Sequence, residues 1–424
     1  MIKVPILFRF ILLGLLCSSL YAQNNLQYYL TSAFKNNPAI KESANNIRIK
    51  QLDKSLSESQ LSRPQVNLNA NYLFVPYFNN DKLITSNPQE DAIGYAPSLS
   101  NGGLYSAQVN VSKNLFNSGV VDAFNNQTDV LIKSNESNIE LIKHGLEKDV
   151  IDQYINCWQA QELYSLSRSN ADTLKMQLDI TEKLMLKGLV KQSDYLLLKV
   201  EFRNQLLAAD LALNALTSSI YQLNTLAGIK DTVIVQFEIV SLNSTENTTT
   251  SKFFNQFIDD SLLILSQQSV LETKYAPQLN LFFNAGLEAD ELNDIQRKFG
   301  MSAGLNFTLP LYDGSQKSIT RQQSQISLNS VTFNKENQEV LIKNKLRESA
   351  AQIELNKTTI ESISGQLNDY NNIILLSRAE LSRGQLSMVD FITIIKNYLN
   401  LKKNWITTSA AYGQAINQFN YWNW

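Results

Sequence analysis

Hydrophobic and polar positions alternate strictly in four short stretches of this chain and recur at helical spacing almost everywhere else. From Val66 the apolar Val66, Leu68, Ala70, Tyr72 and Phe74 interleave with Asn67, Asn69 and Asn71. Ala107, Val109 and Val111 likewise oppose Gln108, Asn110 and Ser112. Period-two alternation over about ten residues predicts a strand with one apolar and one polar face. The pattern returns at Leu279, Leu281, Phe283, Ala285 and Leu287. It returns again at Met301, Ala303, Leu305, Phe307 and Leu309, with Ser302, Gly304, Asn306 and Thr308 on the other face. Elsewhere the period is three to four. Ile139, Ile142, Leu146, Val150 and Tyr154 make an apolar stripe along one helix.

Punctuation sets the element lengths. The chain has 8 prolines, none between residues 98 and 276 and none after 310. Between Val120 and Ala227 the only glycines are Gly145 and Gly188. Proline breaks helix interiors and glycine weakens them, so these spans predict long uninterrupted helices. One covers 120–186, roughly 100 Å at about 1.5 Å per residue. Lys187-Gly188-Leu189 interrupts it and Ser193-Asp194 starts its return to about residue 226. Residues 26–62 read as a helix apart from Pro38, which a first turn tolerates. Residues 252–276 read as a helix ending at Pro277, shorter than the stretch from Asn37 to Pro64. A proline-bearing loop over 75–103 joins the first two strands, and a short charged loop over 288–298 joins the second two. Between Gly228 and Thr250 a β-like run (Val233, Val235, Phe237, Ile239) precedes polar Asn243 to Asn247, predicting a small strand and a linker.

Two stretches of the chain resemble each other. Residues 106–119 read SAQVNVSKNLFNSG and 302–314 read SAGLNFTLPLYDG; 187–195 read KGLVKQSDY and 383–391 read RGQLSMVDF. Phe116 with Tyr312, and Gly188 with Gly384, are each 196 positions apart. This is one unit used twice. The predicted organisation is a signal peptide (1–22), a first repeat (23–229) with a hairpin at about 65–115, a seam (230–251), and a second repeat (252–424) with a hairpin at about 278–311.

Composition narrows the function. Residues 1–22 carry Lys3 and Arg9, an apolar run over 10–16, and Leu20-Tyr21-Ala22 as a cleavage site before Gln23. Leu16 is too bulky for acylation at Cys17. Cleavage would change the balance of 37 basic and 39 acidic residues to 35 minus 39, or −4, which gives no case for nucleic acid. Cys157 would then be alone and unable to form an internal disulfide, and a buried structural thiol is expected. His144, the single histidine, excludes a histidine-rich metal site. With no glycine-rich phosphate loop and no metal-ligand cluster, neither catalysis nor a cofactor is expected.

Short strands, apolar on one face and Asn/Ser/Thr/Gly on the other, match the signature of a transmembrane β-barrel. Backbone groups in lipid must all be paired, so the sheet must close. Four strands cannot enclose a lumen, for which about eight are the practical minimum. Several copies would have to share one barrel. The alternative is a water-exposed antiparallel sheet packed on helices.

The chain resembles the TolC family of outer-membrane efflux channels. The resemblance covers essentially the whole mature chain. It rests on Asn37-Pro38, on Pro64 and Pro277 before strands, and on the pair NLFNSG and PLYDGS. Two turn segments complete it, Gly188-Leu189-Val190 with Asp194, and Gly384 with Val389-Asp390. The resemblance implies a mainly α protein with membrane β: a homotrimer with a shared 12-stranded β-barrel in the outer membrane and a periplasmic α-barrel tunnel. It implies a periplasmic adaptor protein and an inner-membrane transporter as partners, for efflux of small molecules or type I protein secretion. The helix-turn-helix tips at 188–194 and 384–390 would close the tunnel, making Gly188, Asp194, Gly384, Leu386 and Asp390 the candidate working residues. Three-fold symmetry would gather the aspartates into a negative ring. Each aspartate also stands where a returning helix starts, and aspartate is a favoured N-cap. The family's pattern has a basic residue and a second aspartate where this chain has Leu386 and Thr393. Closure is therefore expected to rest on apolar packing of Leu381, Leu386 and Met388. The long first loop, with Asp81, Glu90 and Asp91, would lie outside the cell, and the aromatic end (Phe419, Tyr421, Trp422, Trp424) would pack on the middle belt. The rival reading is a periplasmic coiled-coil structural protein, which would be extractable without detergent.

Overall fold

Proline at position 38 divides the first predicted helix into two. The structure, a computed structural model, describes residues 25–78, 84–85, 92–94, 103–230, 236–244, 251–290 and 292–424. The expected signal peptide, Asp81, Glu90, Asp91, Val233, Val235 and residues 245–247 lie outside the described residues. In place of one helix there are α1 (Leu26–Asn36) and α2 (Pro38–Ser62). Asn37 leaves helical geometry with ψ at 123°. It then caps α2, its Oδ1 accepting from the N–H groups of Ala39 and Ile40 at 2.9 and 3.2 Å.

The strands follow as β1 (Gln65–Phe74), β2 (Tyr77–Phe78), β3 (Ile84–Thr85) and β4 (Gly103–Asn114). Helices α3 (Ser118–Leu186), α4 (Gln192–Ala227) and α5 (Asn255–Glu272) come next. Strands β5 (Gln278–Ala289) and β6 (Phe299–Thr308) then lead into α6 (Gln316–Ser382) and α7 (Met388–Trp422). Helices α3 and α6 run 69 and 67 residues without a break, as their lack of proline requires. The helix expected over 252–276 is shorter. Single 3-10 turns, Lys252–Phe254 and Thr273–Tyr275, flank the 18 residues of α5.

The chain divides into two compact units. One comprises Ser43–Ser137 and Asn255–Lys335 and contains the four-stranded sheet, in the order β1-β4-β5-β6, antiparallel throughout. The central pairing joins β4 to β5, so Asn110 meets Asn284 across the chain. Strands β1 and β6 are the edges, each paired on one side. Helix ends are tied beneath the strands. Asn117 Nδ2 donates to the Leu61 carbonyl and, at 3.5 Å, to Ser62 Oγ. Arg321 grips Glu272 with two bonds of 2.7 Å. Hydrogen bonds from Arg321 and then Gln268 hold the Glu272 carboxyl down at about 2.

The other unit comprises Met1–Glu42, Asn138–Phe254 and Glu336–Trp424. Its core packs Tyr29 and Ala33 of α1 against Val150, Tyr154 and Cys157 of α3 and Leu223 of α4. Burial pushes the Cys157 thiol up to about 12, so it is the inert core thiol the sequence suggested. Helix α4 ends at Gly228, whose φ of 63° is left-handed. Asn36 Nδ2 covers the freed Ala227 and Gly228 carbonyls at 3.1 and 3.2 Å. The small strand expected after it is not formed over 236–244. Gln161 replaces a strand partner there. Its amide accepts from the Phe237 N–H and donates to the Phe237 carbonyl, both at 2.8 Å. The aromatic end packs around His144, whose ring lies flat between Tyr421 and Trp424 at 4.8 and 4.3 Å.

Candidate channel surfaces and helix-turn tips

Both helix-turn-helix tips are built by the same backbone device. Gly188 and Gly384 each have φ of 74°, a left-handed conformation that glycine adopts without steric cost. Leu189 N–H reaches back to the Leu184 carbonyl at 3.0 Å, and Gln385 N–H to the Glu380 carbonyl at 2.9 Å. Gly188 and Gly384 N–H groups bond to Met185 and Leu381 at 2.9 and 3.1 Å. These paired bonds close the Schellman termination that uses up orphan carbonyls at a helix end.

The aspartates are not the caps that their positions suggested. Lys191 caps α4 without a side-chain bond, and Ser387 caps α7. Asp194 and Asp390 lie inside the first turn, where the helix dipole favours a carboxylate. Ser387 Oγ accepts from the Asp390 N–H at 3.1 Å and donates to Asp390 Oδ2 at 2.6 Å. A hydroxyl one turn earlier does the capping, and the exposed Asp390 carboxylate accepts from it in return.

The apolar tip residues pack within the chain's own tip. Met388 is buried, and Leu381 and Leu386 pack with it on Leu174, Leu178, Leu198 and Phe391. Leu186, Leu189 and Val389 are among the apolar groups left outside, at 76%, 70% and 55% exposure. Sequence reasoning missed one feature here. Glu201 of α4, only 5% exposed, meets Lys396 of α7 at 2.8 Å and accepts from Gln205 at 3.1 Å. A carboxylate between the buried Leu198 and Ala209 of one helix was its visible signal.

The sheet sorts its side chains as the alternation requires. One face carries Leu68, Val109, Ala285 and Met301 in a single cross-strand row, with Val66, Val111, Phe283 and Ala303 in another. Leu68 and Met301 are 74% and 70% exposed. The opposite face carries Asn67, Asn110, Asn284 and Ser302 in register. Exposed apolar residues also run along helices: Ile319, Ile326, Phe333 and Val340 on α6 repeat every seven residues. A heptad stripe of that kind is a helix-packing seam. Among the described residues no helix is long and apolar enough to cross a membrane, and no group of three His, Cys, Asp or Glu side chains gathers to hold a metal.

Known structures share this arrangement. The Campylobacter jejuni CmeC outer membrane channel superposes with a TM-score of 0.72 at 15% identity, over 94% of this chain and 85% of that one. CusC, a protein of transmembrane channel formation, superposes at 0.71 and 12% identity, over 95% of both chains. The outer-membrane channel OprN does so at 0.70 and 12%, over 94% and 89%. The chain has the fold of the TolC-like outer-membrane channels. No protein-family model matches the sequence, and no curated protein matches it. At identities this low the match is one of backbone architecture.

Proposed function

We propose that the chain is the subunit of an export duct in the outer membrane of a Gram-negative cell. The observation that carries this reading is the four-stranded sheet, apolar on one face and amide-rich on the other, with unpaired edges at β1 and β6. Exposed edges and an exposed apolar face are stable only when paired and covered. Three copies joined edge to edge would make a 12-stranded barrel with lipid outside and water inside. The heptad stripe on α6 supports the same assembly, because it needs a neighbouring helix. Two tandem repeats fit the element ends: α3 and α6 finish at Leu186 and Ser382, and α4 and α7 start at Gln192 and Met388, each pair 196 positions apart.

In this reading the duct is a passive channel for small molecules, without a cofactor. A periplasmic adaptor would grip the outside of the tips, coupled to an inner-membrane transporter. Asp194 and Asp390 would face the closed end as a cation-attracting ring. The test is bilayer conductance of the purified protein beside an Asp194→Ala/Asp390→Ala double variant. Cation-preferring steps that lose their preference in the variant support the channel and the ring. Unchanged steps keep the channel and remove the ring. A monomer released from cells without detergent overturns the membrane reading.

A further inference from the structure

We propose that the polar face of the sheet discriminates in favour of uncharged polyhydroxylated solutes, with Phe282 as a stacking platform and Asn67, Asn110 and Asn284 as hydrogen-bond partners. This deepens the channel reading and rests on it. The amides form a level row: Asn67 pairs with Asn110, Asn110 with Asn284, and Asn284 with Ser302. Neighbouring strands are about 4.8 Å apart, so the row sets its polar groups at even steps across the sheet. Each amide offers two donors and an acceptor, so the row can serve hydroxyl groups in either sense. Asn284 and Ser302 are already 3.4 Å apart, in position to share a ligand hydroxyl.

Phe282 breaks the polar series of β5. It occupies the polar face one register row away from the amides, paired with Ser112 on one side and Gly304 on the other. A Cβ at Gly304 would come within 2.5 Å of the Phe282 ring. Glycine therefore leaves the flat space in which the ring lies across the neighbouring strand. An aromatic on a water-filled wall gains nothing from core burial, but an aromatic face beside amides suits a sugar ring, whose C–H groups stack while its hydroxyls bond.

Charge on this face points the same way. Its strand positions among the described residues hold no Lys or Arg. Glu288 is the one carboxylate, and Gln108 Nε2 already donates to it at 2.8 Å. An anionic solute meets no counter-charge here, whereas a neutral one meets the donors and acceptors of the amide row.

The experiment is saturation-transfer NMR on the full chain in detergent, with the neutral glucose hexamer maltohexaose as probe. The wall would be open at its outer mouth, so binding would not require the tips to open. Binding is expected, with Phe282→Ala weakening it about tenfold and Phe282→Tyr retaining it. The hexamer of galacturonate, which is polyanionic, is expected to bind at least about tenfold more weakly. A trimeric protein that ignores maltohexaose overturns the inference. So does binding that is unchanged in Phe282→Ala, or equal binding of the anionic hexamer, since either reduces the wall to a size filter. Phe282→Tyr controls for folding, because it keeps the ring. A protein that is monomeric in detergent overturns the channel reading, and this inference with it.

Discussion

Gly228 and His144 show what single positions carry. A side chain at 228 would be strained at a φ of 63° and would also press on Asn36 Cβ at 2.6 Å. Gly228→Ala is expected to destabilise the helical unit by about 1–2 kcal/mol, read from thermal unfolding monitored by circular dichroism. Burial of the His144 ring is the largest influence on it and lowers its pKa from 6.5, against the Tyr421 carbonyl and Glu147, with Lys252 adding to the lowering. A depressed pKa favours neutral imidazole, so its stability contribution is present above about 6.5 and lost as pH falls through that value toward the lower folded one. The melting temperature should drop between pH 7.5 and pH 5.5, and drop less in His144→Phe. Positions of this kind were unequally legible. The tip glycines were readable because a left-handed helix end has a local signature. The caps Lys191 and Ser387 were not, because the choice among adjacent polar residues depends on where the backbone turns.

Pairs of helices raise a different question, namely which side chains face each other. The Glu201–Lys396 bridge joins α4 to α7 beneath the tip, with the carboxylate buried and the ammonium half exposed. Lys396→Met leaves Glu201 with Gln205 alone. The expected loss is about 1–3 kcal/mol, below that of a fully buried pair because water screens the exposed lysine. The double variant Glu201→Leu/Lys396→Met should regain most of it, giving a coupling measurable in a double-mutant cycle by chemical denaturation. A double variant no more stable than Lys396→Met would mean the carboxylate is not the penalty. Strands and long helices were legible as elements from alternation and missing prolines. Their partners were not, since α4 and α7 meet across nearly half the chain and nothing local specifies it. The seam shows the same limit: the backbone of Phe237, expected in a strand, bonds to the side chain of Gln161.

At the scale of the whole molecule, the two faces of the sheet make opposite predictions for the same charge. Val109→Arg places a cation in the middle of the apolar face and should cost about 2–4 kcal/mol, seen as loss of the trimer band from outer-membrane fractions. Asn110→Lys, one residue away on the amide face, should assemble normally and shift selectivity toward anions in bilayer recordings. Equal assembly of both would sink the barrel reading. The sequence by itself determined the long helices, the four alternating strands and their two faces, the tip glycines and the repeat landmarks. Each of these is set by chemistry within a few residues, or by chain text that can be compared with itself. Only the tertiary structure decided the strand order β1-β4-β5-β6, the level amide row, the seating of Phe282 over Gly304 and the Glu201–Lys396 bridge. Those depend on residues far apart in the chain arriving at one place, and a packed fold, not local propensity, selects which of them meet.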